Sequence, residues 1–93
     1  MPDTFARDII VIRNRAGFHV RPITAFVQTA TKFKASVKIK FNDQEINGKS
    51  VLECTLLAAP YESELHIEAK GEDAEELIQA LKELAEQKFG IND

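Results

Sequence analysis

The chain has 93 residues, of which 44% are hydrophobic, and a formal net charge of -3. We expect residues 1–93 to form a single domain, since this length suits one hydrophobic core. The mild charge gives no sign of a nucleic-acid or membrane partner, and no apolar run is long enough to span a bilayer. With one cysteine and no signal-peptide pattern, a cytoplasmic protein is expected.

The first half of the chain predicts a strand, a helix and a hairpin. The β-branched run at residues 9–12 predicts a strand that is buried on both faces or lies at the centre of a sheet. A helix is expected after Pro22, where apolar residues recur at helical spacing. Residues 36–41 alternate between apolar and polar, which predicts a half-buried strand, and residues 44–46 form its return strand.

The second half predicts two helices separated by a strand. Ser50 and Glu53 match the S-x-x-E capping box at the start of a short helix that runs to about residue 57. Residues 64–69 alternate in polarity and predict a strand. Asp73 is expected to cap a helix that ends near residue 88, with an apolar face made of Ala74, Leu77, Ile78, Leu81, Leu84 and Ala85.

The predicted order of elements is β-α-β-β-α-β-α. Helices and strands are mixed along one chain, with a hairpin in the middle. This order favours an α+β two-layer sandwich, in which a mainly antiparallel sheet carries the helices on one face.

One segment, N-R-A-G-F-H-V-R-P at residues 14–22, places a histidine at the predicted start of the first helix. Unpaired amides of a first helical turn bind anions, and the helix dipole strengthens that preference. Arg21 can add a charge-assisted contact to the same anion, so His19 and Arg21 suit a site that receives and holds a phosphoryl group. Alternatively, His19 only caps the helix and Arg21 is a solvated surface charge.

This segment resembles the active-site segment of the HPr phosphocarrier family, which typically reads N-x-x-G-L-H-A-R-P. The positions of Gly17, His19, Arg21 and Pro22 match. A second segment, N-G-K-S-V-L at residues 47–52, is similar to the family's regulatory serine segment. The order of elements also matches the family's open-faced sandwich of a four-stranded antiparallel sheet with three helices on one face.

The resemblance implies a role in the bacterial phosphotransferase system. His19 would accept a phosphoryl group through Nδ1 from Enzyme I, Arg21 would stabilise the phosphohistidine, and an Enzyme IIA would take the group onward. Gly17 and Pro22 would be structural. Such a protein is a monomeric carrier without a cofactor, and its chemistry is shared with its partners, so it is not a free-standing enzyme.

The resemblance also places a docking surface beside His19, formed by Val20, Val51, Leu52 and Thr55. Exposed apolar residues there would mark an interface. The alternative is that Val51 and Leu52 are ordinary core residues. For Leu56 and Leu57 we expect the core.

Ser50 has two interpretations. Its hydroxyl can simply cap the second helix. The resemblance adds phosphorylation by an HPr kinase/phosphorylase, which would place negative charge on the docking surface.

The chain departs from its relatives where they often carry glycine or lysine. Glu53 lies next to the docking surface, and Ala58 and Glu62 occupy glycine positions. If the turn at Glu62 needs a positive φ, that residue is strained. These departures leave the interpretation of His19 unchanged.

The residues leave two further functions open. An HPr-like regulator of carbon or nitrogen state, without a direct role in sugar transport, would use the same residues. A strip of three lysines, Lys34, Lys38 and Lys40, is interpreted as a solvated sheet face, with a nucleic-acid surface as the alternative.

His19, His66 and Cys54 lack metal-ligand spacing, so no metal is expected.

Overall fold

The structure is a computed structural model that describes residues 4–92. Four strands and three α-helices alternate in the predicted order, followed by a 3₁₀ turn. Their bounds are β1 Phe5–Val11, α1 Val20–Ala30, β2 Ser36–Phe41, β3 Gln44–Asn47, α2 Val51–Thr55, β4 Glu64–Lys70, α3 Ala74–Glu86 and the 3₁₀ turn Lys88–Gly90.

The strands form one antiparallel sheet in the order β1-β4-β2-β3. β2 and β3 make the predicted hairpin, and its two central residues, Asn42 and Asp43, both have positive φ. A two-residue turn of this conformation matches the natural twist of a hairpin. The predicted fold class, an open-faced α+β sandwich of four antiparallel strands and three helices, is confirmed.

β1 differs from the prediction. It begins at Phe5 and lies at an edge of the sheet, paired only with β4 among the described strands. Ile10 and Ile12 are buried, whereas Ile9 is 40% exposed on the open face. The β-branched run indicated a strand correctly, but its position in the sheet depends on long-range pairing that a local run does not encode.

The core lies between the sheet and the helices. One face of each amphipathic helix is buried against inward-facing strand residues. α1 contributes Ile23, Phe26 and Ala30. The predicted apolar face of α3 is buried at Ala74, Leu77, Ile78, Leu81 and Ala85, with Leu84 packed at its margin.

Asp73 stands at the start of α3, but its side chain does not cap that helix. Its carboxylate instead accepts hydrogen bonds from the backbone amides of Lys34, at 2.9 Å, and Ala35, at 2.8 Å. These bonds, with that from Lys34 first, lower the pKa of Asp73. The carboxylate therefore ties the turn between α1 and β2 to the start of α3.

The connection between α2 and β4 contains the two suspected glycine positions. Ala58 and Glu62 both adopt positive φ, at 48° and 74°. Residues with a Cβ atom rarely adopt this conformation, because it crowds the backbone. The strain expected at Glu62 is therefore present, and Ala58 shares it.

Candidate functional site

The loop between β1 and α1 is held in a tight conformation at Gly17. The Gly17 amide donates to the Asn14 carbonyl oxygen at 2.8 Å, and φ at Gly17 is +83°. A Cβ atom added there would lie 2.7 Å from the carbonyl oxygen of Ala59. Both the conformation and the close approach require glycine, which supports the structural role predicted for Gly17.

Phe18 anchors this loop in the core. Its amide donates to the Ala59 carbonyl at 2.8 Å, and its side chain is buried. Its ring centroid lies 5.7 Å from those of both Phe26 and Phe89. Because Phe18 points inward, the next residue, His19, comes to the surface and is partly exposed.

His19 occupies the N-cap of α1, as predicted. Its backbone is extended, with φ −113° and ψ −166°, and its carbonyl accepts from the Ile23 amide at 2.8 Å. The imidazole makes no capping hydrogen bond, and the first turn contains no acidic residue. The amides of Val20 and Arg21 precede the first intrahelical bond and lack a helical partner, so this helix start favours an anion.

Arg21 and Pro22 complete the first turn. Pro22 is buried, and its missing N–H removes a donor that would have no helical partner at this position. Arg21 directly follows Val20 in the first turn and is exposed. Its guanidinium adds positive charge to the same end of the helix. A partly exposed histidine, two amides without a helical partner and an exposed arginine therefore lie within the N-cap and first turn of α1.

The start of α2 is capped, in contrast to that of α1. Ser50 Oγ accepts from the Glu53 amide at 3.1 Å. The reciprocal half of the predicted capping box is wrong, because Glu53 Oε1 accepts from the Asn47 amide, at 2.9 Å, rather than from that of Ser50. The Ser50 amide already donates to the Asn47 carbonyl, so it is not available to the Glu53 carboxylate.

Exposed apolar side chains lie on α2, directly after it and at the start of α1. Val20 is 63% exposed, Val51 42%, Leu52 77% and Leu56 61%. The core interpretation of Val51 and Leu52 is therefore wrong, as is that of Leu56. Leu56 directly follows the last residue of this short helix, on the side opposite the buried Cys54.

Other predicted residues of this region fall as follows. Thr55 is exposed and donates from Oγ1 to the Val51 carbonyl at 2.9 Å. Leu57 is buried as expected. Cys54 is also buried, and burial raises the pKa of its thiol to about 12. A thiol with so high a pKa is a poor nucleophile, so it contributes packing.

Two lysines of the predicted strip, Lys38 and Lys40, lie on the open face of the sheet, whereas Lys34 lies in the turn before β2, so its placement on the sheet face was wrong. Lys38 pairs with Glu45 at 3.3 Å, and Lys40 with Glu68 at 3.0 Å. The Lys40 ammonium lowers the pKa of Glu68, chiefly through its hydrogen bond. His66 is exposed on the same face. Since acids pair with Lys38 and Lys40, this face of the sheet is a solvated surface of mixed charge, which disfavours the nucleic-acid alternative.

Within residues 4–92, no three histidine, cysteine, aspartate or glutamate side chains gather closely enough to hold a metal ion. None of the helices in that same part of the chain has the length and apolarity needed to cross a bilayer.

An open-faced sandwich that presents a histidine at an uncapped helix start defines a surface suited to receiving an anionic group. The family model for the PTS HPr component phosphorylation site matches residues 6–87. The chain therefore belongs to the HPr phosphocarrier family, as its two sequence segments predicted. Members of this family act within the phosphotransferase system.

Individual relatives agree with this assignment. The HPr protein of Neisseria meningitidis is 38% identical over 81 residues, which cover 87% of this chain and 91% of that protein. The phosphoryl donor subunit DhaM of the phosphoenolpyruvate-dependent dihydroxyacetone kinase of Escherichia coli is 38% identical over 95% of this chain. The match spans only 19% of the length of DhaM.

The fold is equally close to solved structures. A crystal structure of HPr from Thermoanaerobacter tengcongensis superposes with a TM-score of 0.89 at 35% identity and covers 95% of this chain and 99% of that one. HPr from Bacillus anthracis superposes with a TM-score of 0.81 at 30% identity, covering 86% of this chain and 95% of that one.

Proposed function

We propose that this chain is a phosphocarrier that accepts a phosphoryl group on His19 from phosphorylated Enzyme I and passes it to an Enzyme IIA protein. The observation that carries the proposal is the position of His19 at the exposed, uncapped start of α1. A ring nitrogen, Nδ1 by family resemblance, attacks the phosphorus. The bond from phosphorus to the donor breaks, and its electron pair stays with the donor.

Arg21 and the first-turn amides stabilise the transferred group. The phosphoryl oxygens carry negative charge, which the Val20 and Arg21 amides and the Arg21 guanidinium can neutralise by charge-assisted hydrogen bonds. Because this site lies at the surface, the group remains accessible to a second protein. The return step is then the same displacement, with an Enzyme IIA residue as the attacking group.

Both partners dock on the apolar surface formed by Val20, Val51, Leu52 and Thr55, and we add Leu56 to it because this side chain is 61% exposed. Its support is the exposure of large apolar side chains that water solvates poorly. α1 packs against α2, and the amide of Phe18, the residue before His19, donates to the Ala59 carbonyl just beyond α2. A partner that covers these residues would therefore bring its own reacting group close to His19.

Ser50 is the proposed regulatory site, modified by an HPr kinase/phosphorylase. It is partly exposed and directly precedes Val51 of the docking surface. A phosphate at this helix start is tolerated by the helix dipole, and its charge would oppose an acidic partner surface. Regulation would therefore act on docking and leave the chemistry at His19 intact.

A regulatory phosphotransfer role is the second candidate. The similarity to DhaM supports phosphotransfer outside sugar transport, because that relative is the phosphoryl donor subunit of a dihydroxyacetone kinase. In either role the chain acts as a single HPr-like domain, as a monomer and in the cytoplasm. Transfer from the phosphorylated chain to sugar-type and nitrogen-type Enzyme IIA proteins, measured side by side, separates the two roles.

The test is intact mass spectrometry after incubation with phosphoenolpyruvate, magnesium and a bacterial Enzyme I that is active on an established HPr. His19→Ala is compared with His66→Ala, which removes the other histidine from the open sheet face. We expect one acid-labile phosphate on the native chain and on His66→Ala, and none on His19→Ala. A phosphate retained by His19→Ala would refute the proposed site.

A further inference from the structure

A buried asparagine connects the site loop to the far end of the chain. Asn14 is the one fully buried polar side chain among residues 4–92. Its Nδ2 donates to the Lys88 carbonyl oxygen at 2.9 Å, across 74 positions of sequence. Its Oδ1 is buried without a hydrogen-bond partner among residues 4–92, so the bond to Lys88 is the one that offsets the cost of burying this amide.

The residues that receive this bond have an unusual backbone. Lys88 and Phe89 both adopt left-handed φ, at 54° and 58°. Bulky L-residues rarely adopt this conformation, and it persists where the surrounding structure fixes it. Here the Asn14 hydrogen bond holds the first residue, and burial of the ring holds the second, which is only 4% exposed.

The buried ring of Phe89 lies against the residue that precedes His19. The rings of Phe18 and Phe89 are tilted by 46°, whereas Phe18 meets Phe26 edge-on at 80°. Phe18 is thus held by α1 through Phe26 and by the 3₁₀ turn through Phe89. Loss of either contact would leave the Phe18 ring held from one side only.

We propose that Asn14 and Phe89 are positioning residues for phosphoryl transfer. They fix the 3₁₀ turn under the site loop, and the turn fixes Phe18 and, through it, the orientation of the His19 ring relative to the first-turn amides of α1. The proposal rests on the proposed function of His19. It assigns to Asn14 and Phe89 an effect on the chemical step, since neither belongs to the docking surface.

Transfer between two proteins is sensitive to such positioning. A displacement of about 1 Å of a reacting group can lower a rate by roughly a hundredfold. Partial loosening by Phe89→Leu or Asn14→Ala should therefore lower kcat by roughly tenfold. KM for the carrier should stay unchanged, because the docking residues remain in place.

The experiment compares Phe89→Leu and Asn14→Ala with Phe41→Leu. The control makes the same change of side chain on β2, at a partly buried residue outside the site loop. All variants are assayed at a temperature at which circular dichroism shows them folded. Phosphorylation is followed with Enzyme I and, separately, with phosphoramidate, a small donor that needs no docking surface. The ring resonances of His19 are recorded by NMR.

We expect a lower kcat with Enzyme I, slower reaction with phosphoramidate and shifted His19 resonances in both test variants but not in Phe41→Leu. Equal rates in the test and control variants would overturn the positioning role, as would an effect on KM alone. A native chain that neither donor phosphorylates at His19 would refute the proposed function itself, and the positioning role with it.

Discussion

The starts of α1 and α2 both have an N-cap residue with an extended backbone, but only the start of α2 has a side-chain cap. Ser50 satisfies the start of α2 with its own hydroxyl, whereas His19 leaves the start of α1 without a side-chain cap. Serine is among the preferred capping residues, and histidine is not. The uncapped start gives up local stability and keeps its amide donors available, which is what an anion-transfer site requires.

The largest effects on phosphorylation are expected from substitutions of His19, one of which gives α1 the cap that it lacks. In His19→Asn the amide oxygen can accept from the first turn, whereas His19→Ala removes the imidazole and adds no cap. Both variants should lose phosphorylation completely. The asparagine variant should exceed the alanine variant in unfolding free energy by about 1 kcal/mol in denaturant titration. Equal stabilities would mean that the start of α1 does not need a cap.

The next effect concerns the charge at the uncapped start. Arg21→Ala should lower the rate of His19 phosphorylation by roughly tenfold to a hundredfold, because hydrogen bonds from charged groups contribute about 1.5–3 kcal/mol. Arg7→Ala removes the same charge from the sheet, where the guanidinium lies over the ring of Phe5. A similar loss of rate in both variants would reduce the role of Arg21 to general electrostatics.

A smaller effect is expected at the capped start. Ser50→Ala should lower the free energy of unfolding by about 1 kcal/mol, while Ser50→Asp should retain it because aspartate also caps. Neither variant should change the rate with phosphoramidate. Ser50→Asp should raise KM for an acidic partner, since it mimics the charge of a phosphate. Thermal unfolding and steady-state kinetics together check both expectations.

At the start of α3, Asp73 makes the stability of the fold depend on pH. The hydrogen bonds from Lys34 and Ala35 hold the pKa of Asp73 below its ordinary value of 3.8, so its ionised form is favoured in the folded state. Its stabilising effect is therefore complete above that ordinary value and is lost as pH falls through the lowered one. Asp73→Asn should be less stable than the native chain at pH 7, and the difference should narrow in acid, as followed by urea titration. A difference independent of pH would contradict this account.

The sequence predicted the fold where the signal was local. The alternation in β2 and the helical spacing in α1 and α3 each indicated the correct element and buried face. The edge position of β1 was not predictable, since the pairing of distant strands determines it. The exposure of Leu56 was missed because a helix of five residues is too short for its periodicity to define a face.

The site divides in the same way. Gly17, His19 and Arg21 all lie inside one recognisable segment of nine residues, 14–22. The known preference of a helix start for anions explains the chemistry proposed for them. Asn14 opens the same segment, but nothing in the sequence indicated its bond to Lys88, because that link spans most of the chain and depends on a left-handed turn without glycine at Lys88 or Phe89. Only the three-dimensional structure brings Lys88 and Phe89 to the loop.

The uncapped amides of α1 are expected to donate hydrogen bonds to the phosphoryl group that His19 carries. Amide proton and nitrogen NMR shifts, recorded before and after phosphorylation, test this expectation most directly. We predict large shifts for Val20 and Arg21 and small ones for Glu53, whose amide is already bonded to Ser50. Unchanged Val20 and Arg21 amides in a chain that carries phosphate on His19 would contradict the account.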